Sequence, residues 1–218
     1  MERWVVTAKK ADFQEIGRKY GIDPVIARII RNRDITEEKD IAEYLNGSLR
    51  DIPSWKLLKD IDRAADLISE KISTHARIRI IGDYDIDGVT ATFILLKGLK
   101  RLGADVDTYI PDRITDGYGI HEHLIQQAKN DGIELIVTCD NGISAAREVA
   151  LAKELGMDIV VTDHHEIPFE DADGERKYIL PSADAIVNPK QPGCRYPNKN
   201  ICGAVVAMKV VYALYEMH

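Results

Sequence analysis

The stretch "RIIGDYDIDGVTATFILLKGL", residues 79–99, decides how this chain is read. Asp83, Asp85 and Asp87 stand at alternate positions, and Gly88 and a long apolar-rich segment follow at once. One reading is a calcium loop of the EF-hand kind, in which oxygen ligands alternate and a glycine makes the sharp turn. Such a loop needs a bidentate glutamate at its twelfth position, and counting from Asp83 that position is Ile94. Upstream, "RIRII" is a β-branched run with the pattern of a buried strand, where an EF-hand has a helix. The acids therefore close a strand and open a helix.

Working outward, the same rhythm repeats from residue 78 onward. "RIRIIG", "DVDTYI", "ELIVTC", "DIVVT" and "DAIVN" read as strands, and the segments from Gly88, Ile120 and Ile143 as helices of about three turns. Strands that are apolar throughout and alternate with helices indicate an α/β fold: a doubly wound, mostly parallel five-stranded sheet with helices on both faces. "CGAVVAMKVVYALYEM" forms a last helix running to the chain end. Residues 1–75 read as a helical N-terminal segment ahead of an α/β domain at 76–218. There, Asp23 and Pro24 start one helix, Thr36 caps a second, "DIDRAADLISEKIS" has helical spacing, and "NGSLRDIPSWKLL" is loop-like.

Composition narrows the class. The chain has 218 residues, 45% hydrophobic and 30% charged, which suits a globular protein with a sizeable core. No apolar run approaches the ~20 residues that span a bilayer, and "MERWVVTAKKADFQ" lacks the apolar core and cleavage site of a signal peptide, so a cytoplasmic location is expected. Cys139, Cys194 and Cys202 are odd in number and lack C-x-x-C spacing, which reads as reduced thiols. A formal charge of −7 argues against a general nucleic-acid coat protein. It leaves a nuclease open, because metal ions would neutralise liganding carboxylates. The basic runs "ARIIRNR" and "KGLKR" read first as solvated helix faces.

The polar residues fall at strand ends. Asp83 follows "RIIG", Asp140 follows "LIVTC", Asp163 follows "IVVT" and Asn188 follows "DAIV". Ligands of open parallel sheets bind in the crevice beyond the carboxyl ends of the strands. Behind Asp163 come His164 and His165, which can point in different directions, one to a metal and one to a substrate. An aspartate at a strand end commonly only caps the next helix, and a histidine pair is commonly surface decoration. Acidic clusters gathered in one crevice repel each other and call for a counter-ion. Aspartates mixed with one or two histidines suit manganese or magnesium better than structural zinc.

"DYDIDG", "TCDNG" and "TDHHE", in this order and each at a strand end, resemble the first three motifs of the DHH phosphoesterases. "IPDRITDGYGI", "DAIVNPKQPGCRYPNKNICGAVVAMKV" and the helical preamble resemble the branch formed by the bacterial exonucleases specific for single-stranded DNA. The resemblance implies that Asp85, Asp87, Asp140 and His164 ligate two Mn2+ or Mg2+ ions. Asp140 would bridge them, and Asp83 would either ligate or brace the loop. It further implies that Asp163 orients the histidines, that His165 faces the scissile phosphate, that Arg113 binds a phosphate, and that Gly117 and Gly119 admit the backbone of the DNA, with Asn188 also on the substrate side. The implied reaction is 5′-to-3′ hydrolysis of single-stranded DNA to 5′-mononucleotides, in recombination and repair. A helicase and a single-strand-binding protein are candidate partners, and no membrane is. Cys139, beside Asp140 on a buried strand, is expected to be inert.

Two departures from the family pattern stand out. "GAVV" places Val205 where the family usually has a small residue. The sequence also stops at His218, before a further aspartate motif and a DNA-gripping domain, so it is expected to be the amino-terminal part of a longer protein, weak or inactive alone. Competing readings are a family member acting on short oligonucleotides, cyclic dinucleotides or pyrophosphate, and a non-catalytic replication scaffold on the same fold. The intact acids argue against the scaffold.

Overall fold

A computed structural model describes residues 9–117, 119–172 and 175–217. Residues 1–8, Tyr118 of the "DGYG" run, Asp173, Gly174 and His218 lie outside the described residues. The chain divides into two units, Met1–Ile52 and Pro53–His218.

The first unit holds α1 (Phe13–Tyr20), α2 (Pro24–Asn32) and α3 (Glu38–Asn46). Asp12 and Asp23 cap α1 and α2 by accepting from the backbone N–H of Glu15 and Val25, and Pro24 occupies the first turn, where its missing N–H costs nothing. The cap expected at Thr36 falls one residue later. Glu37 precedes α3 without a side-chain cap, and the Thr36 hydroxyl turns to the Glu37 carboxylate instead.

The second unit is built on a parallel sheet. Its strands are β1 (Arg77–Ile81), β2 (Asp105–Tyr109), β3 (Leu135–Cys139), β4 (Asp158–Thr162) and β7 (Ala185–Val187), with spatial order β2-β1-β3-β4-β7. Between them run α4 (Ile61–Ser73), α5 (Ile86–Arg101), α6 (Glu122–Asn130), α7 (Ala146–Glu154) and α8 (Gly203–Met217), and a two-stranded antiparallel hairpin, β5 (Phe169–Ala172) and β6 (Glu175–Tyr178). Alternation along each strand divides the core. Ile78, Ile80, Leu135 and Val137 pack under α4, α5 and α8, while Ile81, Ile136, Ile159 and Val161 pack under α6 and α7. Each such side chain contributes about 1.5–3 kcal/mol by burial. The doubly wound five-stranded sheet is as the sequence indicated.

Some details differ from the sequence reading. α5 starts at Ile86 rather than Gly88 and runs 16 residues instead of about three turns. Gly98 lets α5 pack closely on α8, because a Cβ there would stand 2.6 Å from a methyl of Val211. α4 packs with the sheet unit, although the sequence reading grouped it with the preamble. Among the described residues, no helix is long and apolar enough to cross a membrane.

The chain order reverses between β1 and β3, so connections leave these neighbours in opposite directions and open a crevice past their carboxyl ends. Asp83 stands just beyond β1 and Asp140 just beyond β3.

Candidate metal centre

Four strand ends and one helix N-terminus converge on this crevice. From β1 come Asp83, buried, and Asp85, exposed. Asp85 is the N-cap of α5, its Oδ1 accepting from the N–H groups of Asp87 and Gly88 at 2.9 Å each. β3 delivers Asp140 with φ 61°, a left-handed backbone that a residue other than glycine seldom adopts. This strain sits at the centre of the acid cluster.

β4 delivers the sequence Asp163-His164-His165. Asp163 is 1% exposed, and its Oδ1 accepts from the backbone N–H of His164 (2.7 Å) and of His165 (3.1 Å) and faces Nδ1 of His165 at 2.7 Å. Oδ2 accepts from the N–H of Ile143. Burial pushes the Asp163 carboxyl up, but the hydrogen bonds from His165 and Ile143 outweigh it and hold it below the usual range. In return the Asp163 hydrogen bond raises the pKa of His165. His164 moves the other way, lowered by burial and by the neighbouring charge of His165, so it stays a neutral imidazole. That is the form in which histidine ligates a metal.

The clustered atoms fall into two groups that share one residue. Ligand atoms of Asp83, Asp85 and Asp140 lie within 4.8 Å of one another, and so do those of Asp140, His164 and His165. Nε2 of His164 stands 3.0 Å from Asp140 Oδ1 and 3.5 Å from Asp87 Oδ2. Yet Asp140 Oδ1 has no hydrogen bond, and neither does the buried Oδ1 of Asp83. Donor atoms that face each other without a shared hydrogen fit a common cation. Asp140 is pushed up to about 8, first by burial and then by the charges of Asp87 and Asp85. Carboxylates with neutral imidazole suit a hard divalent ion.

Asp87 has a task the sequence concealed. Its two oxygens accept from the N–H groups of Gly203 (2.7 Å) and Ala204 (2.8 Å), so it holds the N-terminus of α8 against the cluster. A carboxylate keeps lone pairs beyond these two bonds, and its Oδ2 remains near His164. Asn188 is buried, with its amide committed to the carbonyl of His165 and the N–H of Lys190; it braces the histidine loop rather than presenting the substrate contact expected from the sequence. Arg113 is exposed, its guanidinium 5.4 Å above the ring of Tyr84 beside the acids. Gly117 and Gly119 have φ 79° and 90°, and neither has an atom within 4 Å of where a Cβ would stand. Their requirement is conformational. Cys139 is buried, its Sγ 3.3 Å from the Thr92 hydroxyl, and burial pushes the thiol up to about 12.

A family model described as "DHH family, N-terminal domain" matches residues 77–218. The chain belongs to the DHH family. Its three-letter signature is Asp163-His164-His165, the run that carries the hydrogen-bond relay above. Among curated DHH relatives, the single-stranded-DNA-specific exonuclease RecJ of Bacillus subtilis is 39% identical over 213 residues, covering 97% of this chain and 26% of the relative. A crystal structure of exonuclease RecJ bound to manganese superposes with TM-score 0.64 at 35% identity, over 73% of this chain and 38% of that one. RecJ of Thermus thermophilus in complex with Mn2+ gives TM-score 0.67 at 30% identity, over 94% of this chain and 27% of that one. The chain thus spans about a quarter of the length of its B. subtilis relative.

Sequence reading passed over three residues. Gly203 brings α8 close against the acids, since a Cβ there would stand 2.5 Å from Asp140 Oδ1. Asn141 and His121 line the wall of the crevice beside His165. "TCDNG" and "GIHEH" contain the latter two, but only the folded arrangement brings them to the same wall.

Proposed function

We propose that these residues form the metal-bearing part of a DHH phosphodiesterase that degrades single-stranded DNA from its 5′ end to 5′-mononucleotides, acting in the cytoplasm in recombination and repair. The observation that supports the reading is the pair of ligand groups sharing Asp140, each of which could hold a divalent ion, so that Asp140 would serve both. Asp83, Asp85, Asp87, Asp140 and His164 would hold the ions, manganese or magnesium by the chemistry of their donors. Ions bound there supply positive charge to an attacking water and to the phosphoryl oxygens.

The chain's own side chains do the rest. Asp163 fixes the His165 ring through Nδ1, and the raised pKa of His165 favours imidazolium. His165 then donates to a phosphoryl oxygen as negative charge develops on it. Arg113, steadied over Tyr84, offers a cation for a neighbouring phosphate. Gly117 and Gly119 let the backbone bend around the strand. A serine or cysteine nucleophile is not required, and the thiol of Cys139 is too buried to serve.

The family name leaves open the size of the substrate. The test is turnover, by the complete protein with manganese, of a long single strand, the matching duplex, a dinucleotide and pyrophosphate, with the label at either end. Mononucleotides released from the 5′ end of the single strand are expected. Preferential cleavage of the dinucleotide or pyrophosphate would replace this reading with that of a small-substrate enzyme. The helicase and single-strand-binding partners belong to the same proposal.

A further inference from the structure

One cavity beside the acid cluster is left without a task. It measures about 560 Å3 and is walled by Gly119, Ile120 and His121 before α6, by Asn141 and Ile143 after β3, and by His165. Asn141 is 2% exposed, yet neither the nitrogen nor the oxygen of its carboxamide has a hydrogen-bond partner. Nε2 of His121 is buried and unpartnered as well. Buried polar groups are nearly always paired, so three such atoms on two residues that wall one cavity point to a polar ligand there. Among the described residues no lysine or arginine lines it, whereas Asp163, Glu148 and Glu166 do. Away from His165 these acids disfavour a phosphate, and a neutral group with a polar edge and apolar faces is favoured.

We propose that this cavity receives the base of the nucleotide being removed, and that the Asn141 carboxamide pairs with the base edge. The proposal rests on the nuclease reading above and names a subsite within it. A carboxamide presents one donor and one acceptor side by side. Each DNA base carries a matching pair on its Watson–Crick edge: an amino group beside a ring nitrogen in adenine and cytosine, a carbonyl beside a ring N–H in guanine and thymine. Turning the amide over exchanges donor and acceptor. One asparagine thus accommodates all four bases, which an enzyme cutting any sequence needs, while Ile120 and Ile143 contact the faces of the ring.

The test uses deoxyadenosine and thymidine, which have no phosphate, with 2-deoxyribose as the baseless control, in metal-free buffer. Affinity is measured by calorimetric titration, and the contact is reported by the 15N–1H signal of the Asn141 side-chain amide, identified by its loss in Asn141→Leu. Both nucleosides are expected to shift that signal, and 2-deoxyribose to leave it unmoved. Asn141→Leu is expected to weaken nucleoside binding at least tenfold while keeping the melting temperature, because it removes unpaired polar atoms rather than made bonds. Ser144→Trp, at an exposed position on the cavity wall, is expected to block binding. Equal behaviour of nucleosides and 2-deoxyribose, or unchanged affinity in Asn141→Leu, would overturn the proposal and leave the amide to a trapped water. Since neither metal nor phosphate enters the measurement, its failure leaves the metal-hydrolase reading standing. A failed manganese titration would equally leave this result intact.

Discussion

Gly203 and Asp140 meet so closely that a Cβ on the glycine would stand 2.5 Å from Oδ1 of the aspartate. The same oxygen lacks a hydrogen bond and faces His164. Gly203→Ala keeps the helical propensity of α8, so its effect should fall on the site. Manganese affinity is expected to drop at least tenfold with little change in circular dichroism, and unchanged affinity would show that Asp140 Oδ1 is not a ligand.

Asp163 is the acceptor for both histidines, and Asn in its place puts an amide N–H against donors. Asp163→Asn should lower the rate of hydrolysis by the complete protein about 100-fold or more, through loss of the His165 orientation. Stability should fall by about 2–4 kcal/mol, because the charge-assisted bonds inside the protein are lost. If the rate fell only in proportion to stability, the relay from Asp163 to His165 would have no catalytic part.

Protons and metal compete for Asp140. Its carboxyl in the metal-free fold is pushed up to about 8 from an ordinary value of 3.8, so the contribution of this group is fully present below pH 4 and is lost as pH rises through about 8. The metal-free chain should therefore melt at lower temperature at pH 8 than at pH 6. Manganese should reverse that trend, with an affinity that climbs by up to about tenfold per pH unit across this interval. Asp140→Asn should flatten both dependences, and a steep dependence surviving in that variant would assign the titration elsewhere.

Arg79 on β1 is 8% exposed and reaches Asp107 with Nε and Nη2, at 2.8 and 2.7 Å, and Asp131 with Nη1 at 2.8 Å. It ties β2 and the end of α6 to the centre of the sheet. Both carboxylates are more than a third exposed, so removing the arginine leaves them solvated. Arg79→Met should cost about 1–3 kcal/mol in urea unfolding, with manganese binding unaffected. A loss of metal binding in the folded variant would link this network to the site.

Much of this was legible in the sequence because the relevant signals are local. "LIVTC" and "DIVVT" are apolar on both faces, which only a covered strand requires, and an acid directly after such a strand points to the ligand-binding edge. Signals carried by distant pairing were invisible. Asp87 reads as one of three equal acids, yet it holds Gly203 and Ala204, 116 and 117 residues away. Asn188 ends a strand as the aspartates do, but its carboxamide, with donor and acceptor both engaged locally, braces the loop. The hairpin of β5 and β6 escaped notice because its polar, charged strands lack an apolar pattern, although Asp173-Gly174 between them is a turn signal. Asn141 was hidden for the opposite reason: only the tertiary structure shows that a polar side chain beside the acids is buried with nothing to pair with.

A metal centre organised around Asp140 should bind manganese, and calorimetric titration of manganese into this chain, beside Asp140→Ala, measures that binding. Saturable binding by the unmodified chain that disappears in the variant is expected. Binding that persists unchanged in Asp140→Ala, or none in the unmodified chain, would contradict it.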